Sequence, residues 1–215
     1  MISDMRIFID SADVEEIAKA FHTGLIDGVT TNPTLIKKSK RDPFSVYCEL
    51  DVLGVKDISM EVMGSEFEMI EQALELAEEF DDLATIKLPM TNDGLKVCRY
   101  LNGHDIRTNV TLIFNAAQAL LAAKAGATYV SPFVGRIDDQ GYAGLEVVRS
   151  IASLYAQTGQ TTQVLAASIR TPHRAVRSFF NGAHIVTMPP NVFWQMYSHV
   201  LTDVGLQIFE RDSNS

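Results

Sequence analysis

The chain is poor in cysteine, in basic residues and in long apolar runs, and each shortage removes a class of protein. Its two cysteines, Cys48 and Cys98, lie far apart with no Cys-x-x-Cys spacing, so neither a zinc ribbon nor a disulfide framework is indicated and reduced, buried thiols are expected. The 18 Lys and Arg are outnumbered by 27 Asp and Glu, for a net charge of −9. A nucleic acid or an anionic membrane would need a basic patch, so neither is expected as the main partner, and any anionic ligand must be held by a few local cations. No uninterrupted apolar stretch approaches the roughly 18 residues of a membrane helix, and the N-terminus lacks a run of signal-peptide length, which points to the cytoplasm. The five histidines, His22, His104, His173, His184 and His199, form no His-x-Glu or His-Glu-x-x-His pattern, and no metal is expected. Also missing are a Gly-x-Gly-x-x-Gly after a strand, a phosphate loop ending Gly-Lys-Ser or Gly-Lys-Thr, and a Gly-x-Ser-x-Gly elbow, which lowers dinucleotide-binding, nucleotide-hydrolase and serine-hydrolase readings.

What is present is an alternation of short apolar runs with amphipathic ones. Strands are predicted over 6–10, 28–32, 58–63, 84–90, 107–112, 128–133, 163–168 and 183–188, each ending at a Pro, Gly, Asn or Asp signal or followed by a helical pattern. Helices are predicted over 14–21, 34–40 and 44–53, 65–82, 92–101, 115–125, 145–157, 172–180 and around 193–201, with a last helix over 203–211 that no strand follows. The segment 135–144 reads as a glycine-bearing loop. In the acidic run 65–82 the apolar residues Phe67, Ile70, Leu74, Ala77 and Phe80 recur at helical spacing, so its charges read as a solvated face. Eight strand-then-helix units in 215 residues, with no linker, predict a single (β/α)8 barrel domain over 1–215 with an extra C-terminal helix; an open doubly wound sheet is disfavoured by the missing dinucleotide fingerprint.

The most unusual stretch is 84–90, Ala-Thr-Ile-Lys-Leu-Pro-Met, where a lysine stands inside an apolar strand. Alternation sends Thr85 and Lys87 to one face and Ile86 and Leu88 to the other, aiming the amine at the barrel interior, where burial favours the neutral, nucleophilic form. A lysine that snorkels to solvent or pairs with a carboxylate is the plainer alternative. In a barrel of this kind the reacting groups come from C-terminal strand ends. The polar residues there are Asp10, Thr30, Asn32, Glu61, Lys87, Asn109, Thr111, Ser131 and Ser168, distributed over seven ends. Each alone could be a cap, a turn residue or a hydroxyl bonded to backbone. Together they suit lysine Schiff-base chemistry on a ketose, with Lys87 as amine and Glu61 and Asp10 as proton-transfer carboxylates. Arg136 and Arg170, each just past a strand end, suit bidentate phosphate contact, aided by backbone amides around Ser168.

These residues carry a resemblance that runs nearly the full chain. The blocks Phe8-Ile9-Asp10-Ser11-Ala12, Gly28-Val29-Thr30-Thr31-Asn32-Pro33, Ile86-Lys87-Leu88-Pro89, Thr108-Asn109-Val110-Thr111-Leu112-Ile113-Phe114, Val130 through Asp139 and Leu165 through Arg170 resemble, in order, the small transaldolase family that also contains the fructose-6-phosphate aldolases. The resemblance implies a (β/α)8 barrel working without cofactor or metal. It implies Lys87 as Schiff-base nucleophile, Asp10 as acid and base at the cleaved bond, and Glu61 and Thr111 as holders of a proton-relay water. It implies Asn32 as a partner of substrate hydroxyls, with Thr30, Asn109, Ser131 and Phe133 around the substrate, and Arg136, Ser168 and Arg170 at its phosphate. Where the aldolase branch looks like Gln-Val-Met and Pro-Tyr-Val, this chain has Glu61-Val62-Met63 and Pro132-Phe133-Val134, siding with the transaldolases of the pentose phosphate pathway. The family also implies a homo-oligomer, a pentamer or decamer, with the helix at 203–211 at a subunit interface. An aldolase releasing free dihydroxyacetone and a non-catalytic sugar-phosphate binding ring protein are the rival expectations.

Overall fold

In the computed structural model, which describes residues 5–214, eight parallel strands close into a barrel in sequence order, with the first strand paired to the last. The strands are β1 (Arg6–Asp10), β2 (Gly28–Thr30), β3 (Ile58–Glu61), β4 (Ala84–Pro89), β5 (Thr108–Ile113), β6 (Tyr129–Pro132), β7 (Gln163–Ala166) and β8 (Ile185–Met188). Helices α1 (Val14–Phe21), α2 (Pro33–Ser39), α3 (Pro43–Leu53), α4 (Glu66–Phe80), α5 (Asn92–Asn102), α6 (Ala116–Lys124), α7 (Val134–Asp139), α8 (Gly144–Thr158), α9 (Pro172–Phe180), α10 (Pro190–Gln195) and α11 (Val200–Ser213) alternate with them. The expected (β/α)8 barrel is therefore the fold; the ends of the expected 1–215 span, residues 1–4 and 215, lie outside the described residues.

Most helices start on a side-chain cap supplied by the loop leaving a strand. Asp13, Asn32, Asp42, Thr91, Asn115 and Thr171 each accept a backbone N–H of the first turn, and Ser65 forms a reciprocal capping box with Glu68. Such caps satisfy donors that the first turn leaves open, and each is worth about 1 kcal/mol. The caps also hold the loops at the C-terminal strand ends, where the polar residues gather.

Four details differ from the sequence expectation. The segment 135–144 is not all loop, because its first half is the single-turn helix α7, packed through Val134 and Ile137. The helix expected around 193–201 ends at Gln195, and the last helix starts at Val200, where His199 caps it. On α4 the buried face is Met69, Ala73 and Phe80, while Phe67 and Leu74 are exposed. Two overlapping apolar stripes satisfy the helical period there, and the one carrying the small Ala73 is the one buried in the core. Cys98 is buried but Cys48 only half-buried, and both are free thiols.

The main apolar core lies between the sheet and the helices. Inside the barrel a smaller cluster of Phe8, Tyr129, Leu165, Ala167 and Ile185 fills one side. Much of the rest of the interior is polar and hydrogen-bonded in layers. Low in the barrel, Asp57 accepts from Thr85, Tyr129 and Arg107 at 2.8, 2.7 and 3.1 Å. Above it, Asn109 donates to Ser59 at 3.0 Å and accepts from Ser131 at 2.7 Å. In β5 the register shifts between Val110 and Ile113, and Leu112 sits at φ 60°. A left-handed leucine costs about 1–3 kcal/mol; here it turns Ile113 into the outer core while Thr111 stays in the sheet beside Pro89.

Candidate active site

The top layer of the barrel holds the residues expected to carry chemistry. Lys87 follows Ile86 and precedes Leu88, both fully buried in the outer core, so the pleat turns its side chain inward. Its Nζ lies 2.9 Å from Glu61 Oε2 and donates to the Thr31 carbonyl at 2.8 Å. The two side chains are only 6% and 9% exposed, making this a buried ion pair. Lys87 is thus not an isolated buried amine; the carboxylate that the plainer alternative called for is present, and it is one of the two acids expected in the chemistry.

Asp10 ends β1 on the same cavity. Thr30 donates to its Oδ1 at 2.7 Å, and since Thr30 spends its proton there, the 2.7 Å contact between Thr30 and Thr187 runs from the Thr187 hydroxyl. Burial pushes the Asp10 carboxyl above its ordinary range, outweighing the downward pull of the Lys87 charge, the Thr30 hydrogen bond and Arg136. A carboxyl so shifted is closer to the pH at which a general base works best.

A cavity of about 90 Å³ is lined by Asp10, Thr30, Asn32, Lys87, Ser131, Phe133, Arg136, Ala167, Ser168 and Thr187. Eight of the twelve residues expected from the sequence therefore meet on one hollow. Asn32 gives its Oδ1 to the N-terminus of α2, accepting from Leu35 N at 3.0 Å, which leaves its Nδ2 as the donor it can offer a ligand. The Arg136 guanidinium stacks over the Phe133 ring at 4.9 Å. Thr111 is buried with its hydroxyl making no hydrogen bond to the described residues. Asn109 supports the cavity from below by holding Ser131. Glu61 lines a separate pocket of about 240 Å³ behind β3, together with Asp42, Phe44, Tyr47 and Gln72.

Arg170 is arranged differently from the expectation. Its two terminal nitrogens grip Asp139 at 2.5 Å each, so the fork suited to a phosphate is already engaged by a carboxylate on α7. The neighbouring Arg174 pairs with Asp138 at 3.1 Å. The Nε of Arg170 and both oxygens of Ser168 crowd over Gly135, and Ser168 itself sits at φ 57°. Gly135 N donates to the Ser168 carbonyl at 3.0 Å, tying the ends of β6 and β7 together. The sequence reading missed Thr187, although the signal that found the other strand-end residues, a hydroxyl in the apolar run Ile185–Met188, is present there too. With Thr187 all eight strands contribute. Among the described residues no three His, Cys, Asp or Glu side chains group as metal ligands would, and no helix is long and apolar enough to cross a membrane.

The family model described as Transaldolase/Fructose-6-phosphate aldolase matches residues 7–214. The chain belongs to this family. It is an enzyme of the transaldolase kind, as its similarities indicate: it is 46% identical over 209 residues to a probable transaldolase of Thermodesulfovibrio yellowstonii, covering 97% of each chain. It is 48% identical over 211 residues to one of Clostridium perfringens, covering 98% of each, and 48% identical over 209 residues to one of Clostridium botulinum, covering 97% of this chain and 96% of the relative. The family resemblance read from the six sequence blocks is thereby shown over the whole barrel, from β1 into α11.

Proposed function

We propose that the protein is a transaldolase that moves a dihydroxyacetone unit from fructose 6-phosphate or sedoheptulose 7-phosphate to erythrose 4-phosphate or glyceraldehyde 3-phosphate through a Schiff base on Lys87. The observation that carries this reading is the Lys87 amine buried on the wall of the cavity that Asp10 shares, with Glu61 at 2.9 Å to take and return a proton. Lys87 adds to the ketose carbonyl, and Glu61 passes the proton that lets the carbinolamine lose water as a protonated imine forms. Asp10 then takes the proton of the hydroxyl on C4, the far carbon of the C3–C4 bond to be broken. That carbon–carbon bond cleaves, its electron pair flows into the iminium to give an enamine, and an aldose phosphate leaves as the aldehyde. The enamine adds to the carbonyl of the second aldose phosphate, Asp10 returns its proton to the new hydroxyl, and hydrolysis of the imine frees Lys87. Asn32 and Ser131 hold sugar hydroxyls, and Arg136 with Ser168 and the outer edge of Arg170 receives the phosphate. Phe133 keeps its side of the cavity apolar, which favours transfer of the enamine over its protonation.

The same reading places the enzyme in the pentose phosphate pathway, in the cytoplasm, without cofactor, and in a ring of five or ten copies. Support for assembly comes from α11, which buries none of its residues and leaves Val200, Leu201 and Phe209 about 70% exposed, an apolar surface suited to a neighbouring copy. Borohydride reduction in the presence of fructose 6-phosphate, followed by peptide mass spectrometry, tests the chemistry: a reduced dihydroxyacetone adduct is expected on Lys87. An adduct on another lysine, or none, refutes it. Release of free dihydroxyacetone at equal rates with and without erythrose 4-phosphate would instead favour an aldolase.

A further inference from the structure

We propose that Tyr47, a residue of α3 outside the cavity, is a positioning residue for Lys87, its hydroxyl fixing the Thr31 side chain that ties β2 to β3 beside the amine. The proposal rests on Lys87 being the nucleophile. Lys87 Nζ has two fixed acceptors, the Thr31 carbonyl at the end of β2 and the Glu61 carboxylate at the end of β3. Tyr47 is 4% exposed and reaches the first of these residues. Its hydroxyl lies 3.1 Å from Thr31 Oγ1, and because Thr31 Oγ1 donates to the Ser59 carbonyl at 3.0 Å, the tyrosine is the donor of that pair. Glu61 lines the same pocket as Tyr47. Burial pushes the Tyr47 phenol up, so it remains a protonated donor where the enzyme works.

The direct β2–β3 pairing covers only Val29 with Ile58 and Thr30 with Ser59. Beyond it β2 and β3 are joined at the Ser59 carbonyl, which accepts from Thr31 N at 3.1 Å and from the Thr31 hydroxyl that Tyr47 holds. The Tyr47 ring packs from outside against the edge-on ring of Phe80 at 6.1 Å. Losing the phenol oxygen frees the Thr31 side chain, and the end of β2 whose carbonyl holds the amine loses its defined place. Nucleophilic attack is sensitive to such drift, with displacements near 1 Å costing up to about 100-fold.

The test uses Tyr47→Phe, which removes one oxygen and keeps the ring. The rate of borohydride-trapped adduct formation on Lys87 is measured over a range of fructose 6-phosphate concentrations, beside wild type and beside the pair Thr31→Val and Thr31→Ser. For Tyr47→Phe the concentration giving half the maximal rate should stay near that of wild type while the maximal rate falls about tenfold. Thr31→Val should lose rate in the same way, and Thr31→Ser, which keeps the hydroxyl, should recover most of it. Maximal rates like wild type in both Tyr47→Phe and Thr31→Val overturn the proposal, as does a rate loss that only follows weaker sugar binding. If Tyr47→Phe does not fold, the two Thr31 variants decide by the same criterion. Absence of an adduct in wild type instead overturns the Lys87 reading, and the role of Tyr47 with it.

Discussion

Replacing Gly135 with alanine should separate the phosphate end of the site from the amine end. A Cβ added there would stand 2.2 Å from the Ser168 carbonyl oxygen, 2.8 Å from Arg170 Nε and 3.0 Å from Ser168 Oγ. Ordinary carbon to oxygen contacts are about 3.3–3.6 Å, so the backbone at Ser168 must retreat by about 1 Å. The displaced atom is a main-chain carbonyl that accepts from Gly135 N at 3.0 Å, in a residue already at φ 57°, and it has little freedom to move. Overpacking of this kind costs about 1–3 kcal/mol, and for a domain of this size each kcal/mol lowers Tm by about 2–4 °C. The same shift moves Ser168 and Arg170 away from a phosphate at the cavity mouth, and losing one charge-assisted hydrogen bond of about 1.5–3 kcal/mol raises KM about tenfold to a hundredfold. The assay compares KM for fructose 6-phosphate with the trapping of dihydroxyacetone, which has no phosphate, on Lys87. Gly135→Ala should weaken the first and leave the second nearly unchanged. If Tm falls while KM for the phosphorylated sugar does not move, or if both donors weaken alike, the phosphate is not held by the β6 and β7 ends.

Asp10→Asn should abolish transfer and yet stabilise the protein at neutral pH. Because burial raises the Asp10 carboxyl above its ordinary value of 3.8, the folded chain holds that proton more tightly than the unfolded chain. Stability therefore falls as pH rises from below the unfolded value through the raised folded one, and the deficit persists above it. Denaturant melts at several pH values should show Asp10→Asn matching wild type at acid pH and exceeding it near neutrality; a difference that does not vary with pH contradicts the shift. Phe133→Tyr places a hydroxyl at the cavity wall under Arg136, where it can help order a water near the enamine. If it lowers the protonation barrier by about 1.4 kcal/mol, the ratio of free dihydroxyacetone to transfer product rises about tenfold, while Lys87 trapping is retained. An unchanged ratio in a folded, trapping-competent variant removes Phe133 from the choice between the two fates.

The sequence carried the order of most elements, most of their bounds and the inward side of β4. It did so because hydrophobic period, caps and prolines act within a few residues: the alternation around Lys87, the cap at Asn32 and the Pro at the start of α2 can be read without knowing what they meet. The same local logic found eight of the residues that line one cavity, since in a closed barrel every C-terminal strand end arrives at the same place. It failed where two local solutions were equally good, as with the two stripes on α4, and where α7 gathered only a single turn.

The chain by itself thus determined that a lysine, the Asp10 carboxylate, the Asn32 amide and a set of hydroxyls face one hollow. Only the tertiary structure decided what they do to one another. That Lys87 meets Glu61 and the Thr31 carbonyl, 56 residues away, that Asp139 engages the fork of Arg170 from 31 residues away, and that Thr187 completes a hydroxyl chain with Thr30 across 157 residues are outcomes of barrel closure. Spacing along a chain sets which face a side chain takes, whereas the partner it finds there depends on strands brought together by the sheet, and hydrogen bonds and ion pairs act only over the last few ångströms.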